Sequence, residues 1–110
     1  MKPTITYADF EKLDIRVGTI KHAEPVPESR KLLRLVVDFA EFERQILAGI
    51  GKAYDFNTLI GKQGVFLVNL EPRALAGLES QGMLLAAGSL EEGPAMLQTD
   101  RPMGAGSAIR

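Results

Sequence analysis

The apolar residues of this chain come in five strand-sized bursts set apart by glycine, proline and charged turns: Ile15 to Ile20, Leu32 to Asp38, Arg44 to Ile50, Gly64 to Val68 and Met83 to Ala87. Bursts of this length, with period-two alternation at Ile46, Ala48 and Ile50, read as strands rather than helices. Gly18 suggests a bulge in the first strand. Proline cannot donate to a ladder, so Glu24-Pro25-Val26-Pro27-Glu28 should end that strand in a loop. Ala40 to Glu43 is the expected turn between strands two and three, and Gly49 and Gly51 close the third. Tyr54 to Ile60 should form a turn or short helix before strand four. Thr6 and Asp9 have the outline of a capping box, which predicts a short helix near residues 7 to 12 with Phe10 and Leu13 on one face. Five short strands, a helical piece after the third, and no βαβ rhythm describe a small all-β architecture, and the oligonucleotide-binding barrel has that inventory. Ala95 to Gln98 reads as a further short strand in a C-terminal extension.

At 110 residues the chain has the size of one domain and should bury roughly 65% of its unfolded surface. Thirteen basic against fourteen acidic side chains leave a net charge of -1, so bulk charge makes no case for a polyanion partner and any such site must be local. Ten basic and eight acidic residues lie between Lys12 and Arg73, which makes the middle basic relative to the ends. A mixed, solvated surface accounts for that equally well. The absence of cysteine excludes a disulfide framework and thiolate metal sites, and cytoplasm is the expected compartment. The N-terminus lacks the pattern of a secretory signal and no apolar run approaches a membrane span. No cofactor, metal or membrane partner is expected.

Catalytic patterns are missing as well. His22 is the single histidine, no G-x-S-x-G elbow surrounds Ser80, and Gly49-Ile50-Gly51-Lys52 lacks the spacing and the hydroxyl residue of a phosphate loop. The expectation is a protein that is not an enzyme.

Six blocks in order carry a more specific signal: Asp9-Phe10, Lys12-Leu13-Asp14-Ile15-Arg16-Val17-Gly18, Lys31-Leu32-Leu33, Arg44-Gln45-Ile46-Leu47-Ala48-Gly49-Ile50, Asn69-Leu70-Glu71-Pro72-Arg73 and Ser80-Gln81-Gly82-Met83-Leu84-Leu85-Ala86. From about Tyr7 to Arg110 the set resembles the tRNA-binding domain found at the C-terminus of bacterial methionyl-tRNA synthetases and as free-standing tRNA-binding proteins. The resemblance implies a single domain over 1–110. Residues 7–87 would be a five-stranded oligonucleotide-binding (OB-fold) barrel with its N-terminal helix, and 88–110 an extension at a homodimer contact. It implies tRNA as partner, gripped by shape without chemistry, and a link to methionyl-tRNA synthetase. CsaA-like secretion chaperones share parts of the pattern, which makes unfolded polypeptide the alternative partner. The Arg44 to Ile50 block is closer to the synthetase-associated branch.

The implied tRNA-binding residues are Lys31, Arg44, Asn69, Arg73, Ser80 and Met83. Lys31, with Arg30 and Arg34, is expected at the start of strand two, and Arg44 at the start of strand three, where a solvated strand end is the plain alternative. Asn69 suits a nucleotide contact or closure of the turn into Pro72 equally. Arg73 follows a proline of fixed geometry, which aims a guanidinium at phosphate or base. Ser80 can bond phosphate or ribose, and the Met83 thioether can lie against a base, with a turn serine and a core methionine as alternatives. Gly82 between them lets another backbone approach. Aromatic residues are too sparse for serial base stacking, so readout of folded RNA through phosphate and ribose is expected. All six residues are expected on one exposed patch.

Overall fold

The computed structural model describes residues 1–89 and 91–110. A short helix α1 (Tyr7–Glu11) precedes strands β1 (Ile15–Pro25), β2 (Leu33–Asp38) and β3 (Glu43–Ala48). A single 3-10 turn (Phe56–Thr58) leads to β4 (Gln63–Leu67). The remaining strands are short: β5 (Arg73–Leu75), β6 (Leu78–Ser80), β7 (Met83–Leu84), β8 (Ala86–Ala87) and β9 (Ala95–Met96). Helix α1 begins with the expected capping box: Asp9 N–H donates to Thr6 Oγ1 at 3.1 Å and Thr6 N–H to Asp9 Oδ2 at 3.4 Å. Two orphan donors at the helix start are thereby satisfied.

Strands β3, β2, β1, β4 and β7 form one antiparallel sheet in that order. The sheet curls into a nearly closed five-stranded barrel, the all-β OB-fold architecture. Its gap between β7 and β3 is bridged by Gln81, whose backbone N–H donates to Gln45 O at 2.8 Å. Alternate residues of β2, namely Leu33, Leu35 and Val37, point inward with Ile20, Phe39, Ile46, Ile50, Leu59 and Phe66. Each such side chain contributes about 1.5–3 kcal/mol by leaving water. Phe39 and Phe66 meet edge to face with centroids 5.5 Å apart.

The structure moves several boundaries. The register shift in β1 falls between Ile20 and His22 rather than at Gly18. Gly18 is required for a different reason: a Cβ there would lie 2.4 Å from Val37 Cγ1 and 2.7 Å from the Phe39 ring. Strand β1 pairs as far as Pro25, its last residue, where the missing N–H ends the ladder. Arg30 and Lys31 precede β2 and belong to the loop that leads into it. The fifth strand expected over 83–87 divides in two, β7 pairing with β4 and β8 with β9. The β5–β6 hairpin, Arg73–Leu75 paired with Leu78–Ser80, is an element beyond the five expected strands.

The C-terminal segment completes the barrel rather than standing apart from it. Val17 N–H donates to Ser107 O at 2.9 Å, Gly106 N–H to Val17 O at 2.8 Å and Ile109 N–H to Ile15 O at 2.8 Å. These bonds fill the β1 edge that β2, pairing only from Thr19 onward, leaves open.

Candidate nucleic-acid interface

The β5–β6 hairpin folds back at Ala76-Gly77, both with φ in the left-handed region (50° and 78°), and lies along the free edge of β3. Polar groups fasten it there. Gln45 N–H donates to Gln81 Oε1 at 2.9 Å, and Gln45 Nε2 donates to Glu79 O at 2.8 Å. Ser80 Oγ accepts from Leu47 N–H at 3.0 Å and donates to Gly82 O at 3.0 Å. The hairpin therefore overhangs the end of the barrel and creates a groove.

That groove encloses about 710 Å³ and is mostly apolar. Leu47, Ala48, Ile50 and Leu84 line it from the barrel, Leu75 from the hairpin, and Leu85, Pro94 and Leu97 from the segment around β8 and β9. Among the described residues Arg73 is the one charged residue in the lining, and Met83, 38% exposed, lies in the same wall. Leu32 and Ile50, also in the lining, lead directly to Lys31 and to Gly51-Lys52. Gly51 N–H donates to Lys31 O at 2.7 Å, which joins the backbone of the Lys31 loop to the segment that carries Lys52 next to the groove lining. Both ammonium groups are exposed. Among the described residues the ion pairs engage Lys12, Arg16, Lys21, His22, Arg34 and Arg101, and none engages Lys31, Lys52 or Arg73.

The six expected residues thus divide. Arg73 and Met83 line the groove and Lys31 borders it. Ser80 is 4% exposed and its hydroxyl is taken up by backbone, so it holds the hairpin that carries Arg73, its own cross-strand neighbour, against β3. Arg44 is half-buried at the other end of the barrel: Nη1 donates to Val68 O at 3.2 Å and Gln81 O at 3.1 Å, and Cζ lies 4.7 Å from the Phe42 ring centre. It braces the strand gap instead of ending a solvated strand. Asn69 is exposed, yet its amide closes on neither a neighbouring turn nor the groove. Its Oδ1 accepts from Asp14 N–H at 2.8 Å and its Nδ2 donates to Lys12 O at 2.6 Å, pinning the junction of α1 and β1. One exposed patch of six residues does not form; three flank the groove, two brace the frame and one ties down the helix.

Gly82 serves the approach expected of it. With φ at +149°, a Cβ there would lie 2.9 Å from Leu67 O.

Three cations elsewhere on the barrel are engaged by carboxylates. Arg34 donates from Nε to Gln45 Oε1 at 2.7 Å and from Nη1 to Glu24 Oε1 at 2.9 Å, on the outer face of the sheet. Hydrogen bonds from His22 and then from Arg34, opposed by desolvation, hold the Glu24 carboxyl below its usual pKa. Arg16 is fixed by two bonds to Asp14, at 2.9 and 3.1 Å, and that hydrogen bonding raises its pKa against the opposing effect of burial. Lys21 is likewise raised, by its bond to Glu43 at 3.0 Å.

Sequence reasoning missed Leu75, Leu85, Leu97 and the glutamine pair Gln45–Gln81. Leu85 and Leu97 fall in segments read as strands and Leu75 in a segment with no strand pattern, so nothing in the spacing set their side chains apart from core residues.

Comparison with known proteins agrees with this fold. The family described as "Putative tRNA binding domain" matches residues 15–108. Methionine–tRNA ligase of Methanothrix thermoacetophila is 48% identical over 109 residues, which is 99% of this chain and 16% of the ligase. The corresponding ligase of Thermotoga maritima is 53% identical over 85 residues, 77% of this chain and 14% of the ligase. The chain therefore spans about one-sixth of the length of these relatives. Among solved structures, a MetRS related protein from Pyrococcus horikoshii superposes with a TM-score of 0.90 at 34% identity, covering 99% of this chain and all of the other. Chaperone CsaA from Bacillus anthracis superposes with a TM-score of 0.88 at 33% identity, covering 98% of this chain and all of the other. A family match across most of the chain, relatives at nearly half identity, and an OB barrel with an overhanging hairpin lead to one conclusion: the chain belongs to the tRNA-binding domain family related to methionyl-tRNA synthetase.

Proposed function

We propose that this protein is a non-catalytic module that binds folded tRNA in the cytoplasm as a homodimer, either freely or as an accessory to methionyl-tRNA synthetase. The observation that carries the reading is the groove with Lys31, Lys52 and Arg73 around it, three cations free of carboxylate partners on a chain whose net charge is -1. Phosphate contacts need local cations, and these are unspent. The apolar side chains of Ile5, Tyr7 and Leu13 near α1, and of Met103 in the C-terminal segment, are exposed and support a second copy as the partner that covers them.

Fluorescence anisotropy with folded tRNA, unfolded tRNA and duplex RNA tests the binding. Preference for the folded form, with affinity falling as salt rises, is the expected result, and equal binding to all three defeats it. Light scattering should give twice the 12.0 kDa chain mass. The apolar groove also favours a second reading, a chaperone that binds unfolded polypeptide, as the likeness to CsaA suggests. Displacement of tRNA by a permanently unfolded polypeptide would support that alternative.

A further inference from the structure

We infer that the groove receives one unpaired base of the bound tRNA, while Lys31 and Lys52 on one rim and Arg73 on the wall hold the phosphates on either side of it. The inference rests on the tRNA-binding reading and adds to it a mode of contact that shape recognition alone does not require. About 710 Å³ is within the range of pockets that hold compact organic ligands, and is ample for a nucleobase with its ribose. Its lining is aliphatic, from Leu47, Leu75, Leu85 and Leu97, with the Met83 thioether at the wall. A base has two apolar faces and can be sandwiched between such side chains.

Charge selects the occupant. No carboxylate lines the groove among the described residues, and Arg73 is the charged side chain in its wall; beside the lining stand Lys31 next to Leu32 and, near Gly88, Glu92, whose Oε2 would lie 3.9 Å from a Cβ at that glycine. An apolar polypeptide gains nothing from three unpaired cations, whereas a nucleotide brings the anion and the apolar ring in one unit. With no aromatic ring and no polar side chain other than Arg73 in the lining among the described residues, the groove discriminates little among bases. It would read the fact that a base is unstacked at that place in the fold, not which base it is.

The test uses folded tRNA titrated into the wild type and the Leu75→Gln, Leu97→Ser and Arg73→Ala variants over a salt series, with circular dichroism melts of each protein. Leu97 is 40% exposed, so its variant keeps the fold even if Leu75→Gln does not. Loss of the apolar sandwich should weaken binding by about tenfold at every salt concentration while leaving the salt slope unchanged. Arg73→Ala should instead flatten the slope. Wild-type binding with undiminished affinity in a folded leucine variant overturns the inference and leaves tRNA binding intact. If the leucine variants lose a carboxymethylated, unfolded polypeptide but keep tRNA, the groove is a polypeptide site and the inference is again overturned. No tRNA binding by the wild type removes the functional proposal itself.

Discussion

Ser80 Oγ takes the backbone N–H of Leu47 at 3.0 Å, a bond that joins the hairpin bearing Arg73 to the strand flooring the groove. The oxygen is buried and also donates to Gly82 O, so it has no capacity left for a phosphate. Ser80→Ala strands a buried N–H and should cost about 1–3 kcal/mol in urea denaturation. Its tRNA affinity should then fall only as far as the hairpin loosens. A stability indistinguishable from wild type would show that the hairpin is held by the glutamines alone.

Free and committed cations should respond oppositely to removal. Lys31→Ala and Lys52→Ala take away exposed charges with no ion-pair partner, so each should lower the slope of log affinity against log salt by about one unit or less and leave the melting temperature unchanged. Arg34→Ala breaks its bonds to Glu24 and Gln45, so it should lower stability by at most about 1 kcal/mol and leave the salt slope alone. Parallel titrations and melts of the three variants decide this.

Asn69 makes two backbone contacts across more than fifty residues of sequence, to Lys12 O and Asp14 N. Asn69→Ala should free α1, a helix of five residues with no buried side chain, while the barrel stays folded. Hydrogen exchange should accelerate over residues 6–14 and stay unchanged in β2 and β3. If α1 carries the contact between copies, the variant should also dissociate at a higher protein concentration than the wild type.

How much of this was legible beforehand follows from which interactions are local. The helix cap at Thr6 and Asp9 and the five-stranded inventory are written in residue spacing, whereas the alternation read at Ile46, Ala48 and Ile50 is only partly kept, because Leu47 between them is buried too, beneath the hairpin. The hairpin was not legible, because its turn at Ala76-Gly77 flanks strands of only three residues, too short to show alternation. Arg44 and Ser80 carry polar groups that the folded chain spends on carbonyls and amides distant in sequence, Val68, Gln81 and Leu47. Residue type announces that such groups bond something. Only the closed barrel decides whether the partner is backbone or ligand.

The hairpin turn itself can be improved. Ala76 has φ of 50°, a conformation that costs an L-residue other than Asn or Gly roughly 1 kcal/mol, and Gly77 follows it in the same region. Asn-Gly is the preferred pair for a two-residue turn of this hand, so Ala76→Asn should raise the melting temperature by a few degrees. Because the side chain at 76 is exposed, the substitution disturbs no packing.

Acid should weaken the outer face of the sheet through Glu24, whose side chain faces His22 on β1 and Arg34 on β2. Its carboxyl is held below the usual value by hydrogen bonds from His22 first and Arg34 after it. A depressed carboxylate binds its proton more readily in the unfolded chain, so its contribution to stability is complete above the ordinary carboxylate range and disappears as pH falls through the lower folded value. Glu24→Gln keeps the size but removes the charge, and should flatten the fall in stability below about pH 4.5 while lowering stability slightly at neutral pH. Urea denaturation of both proteins from pH 7 down to pH 3 measures the difference. Parallel curves would mean that the pairs with His22 and Arg34 are too solvated to couple protonation to folding.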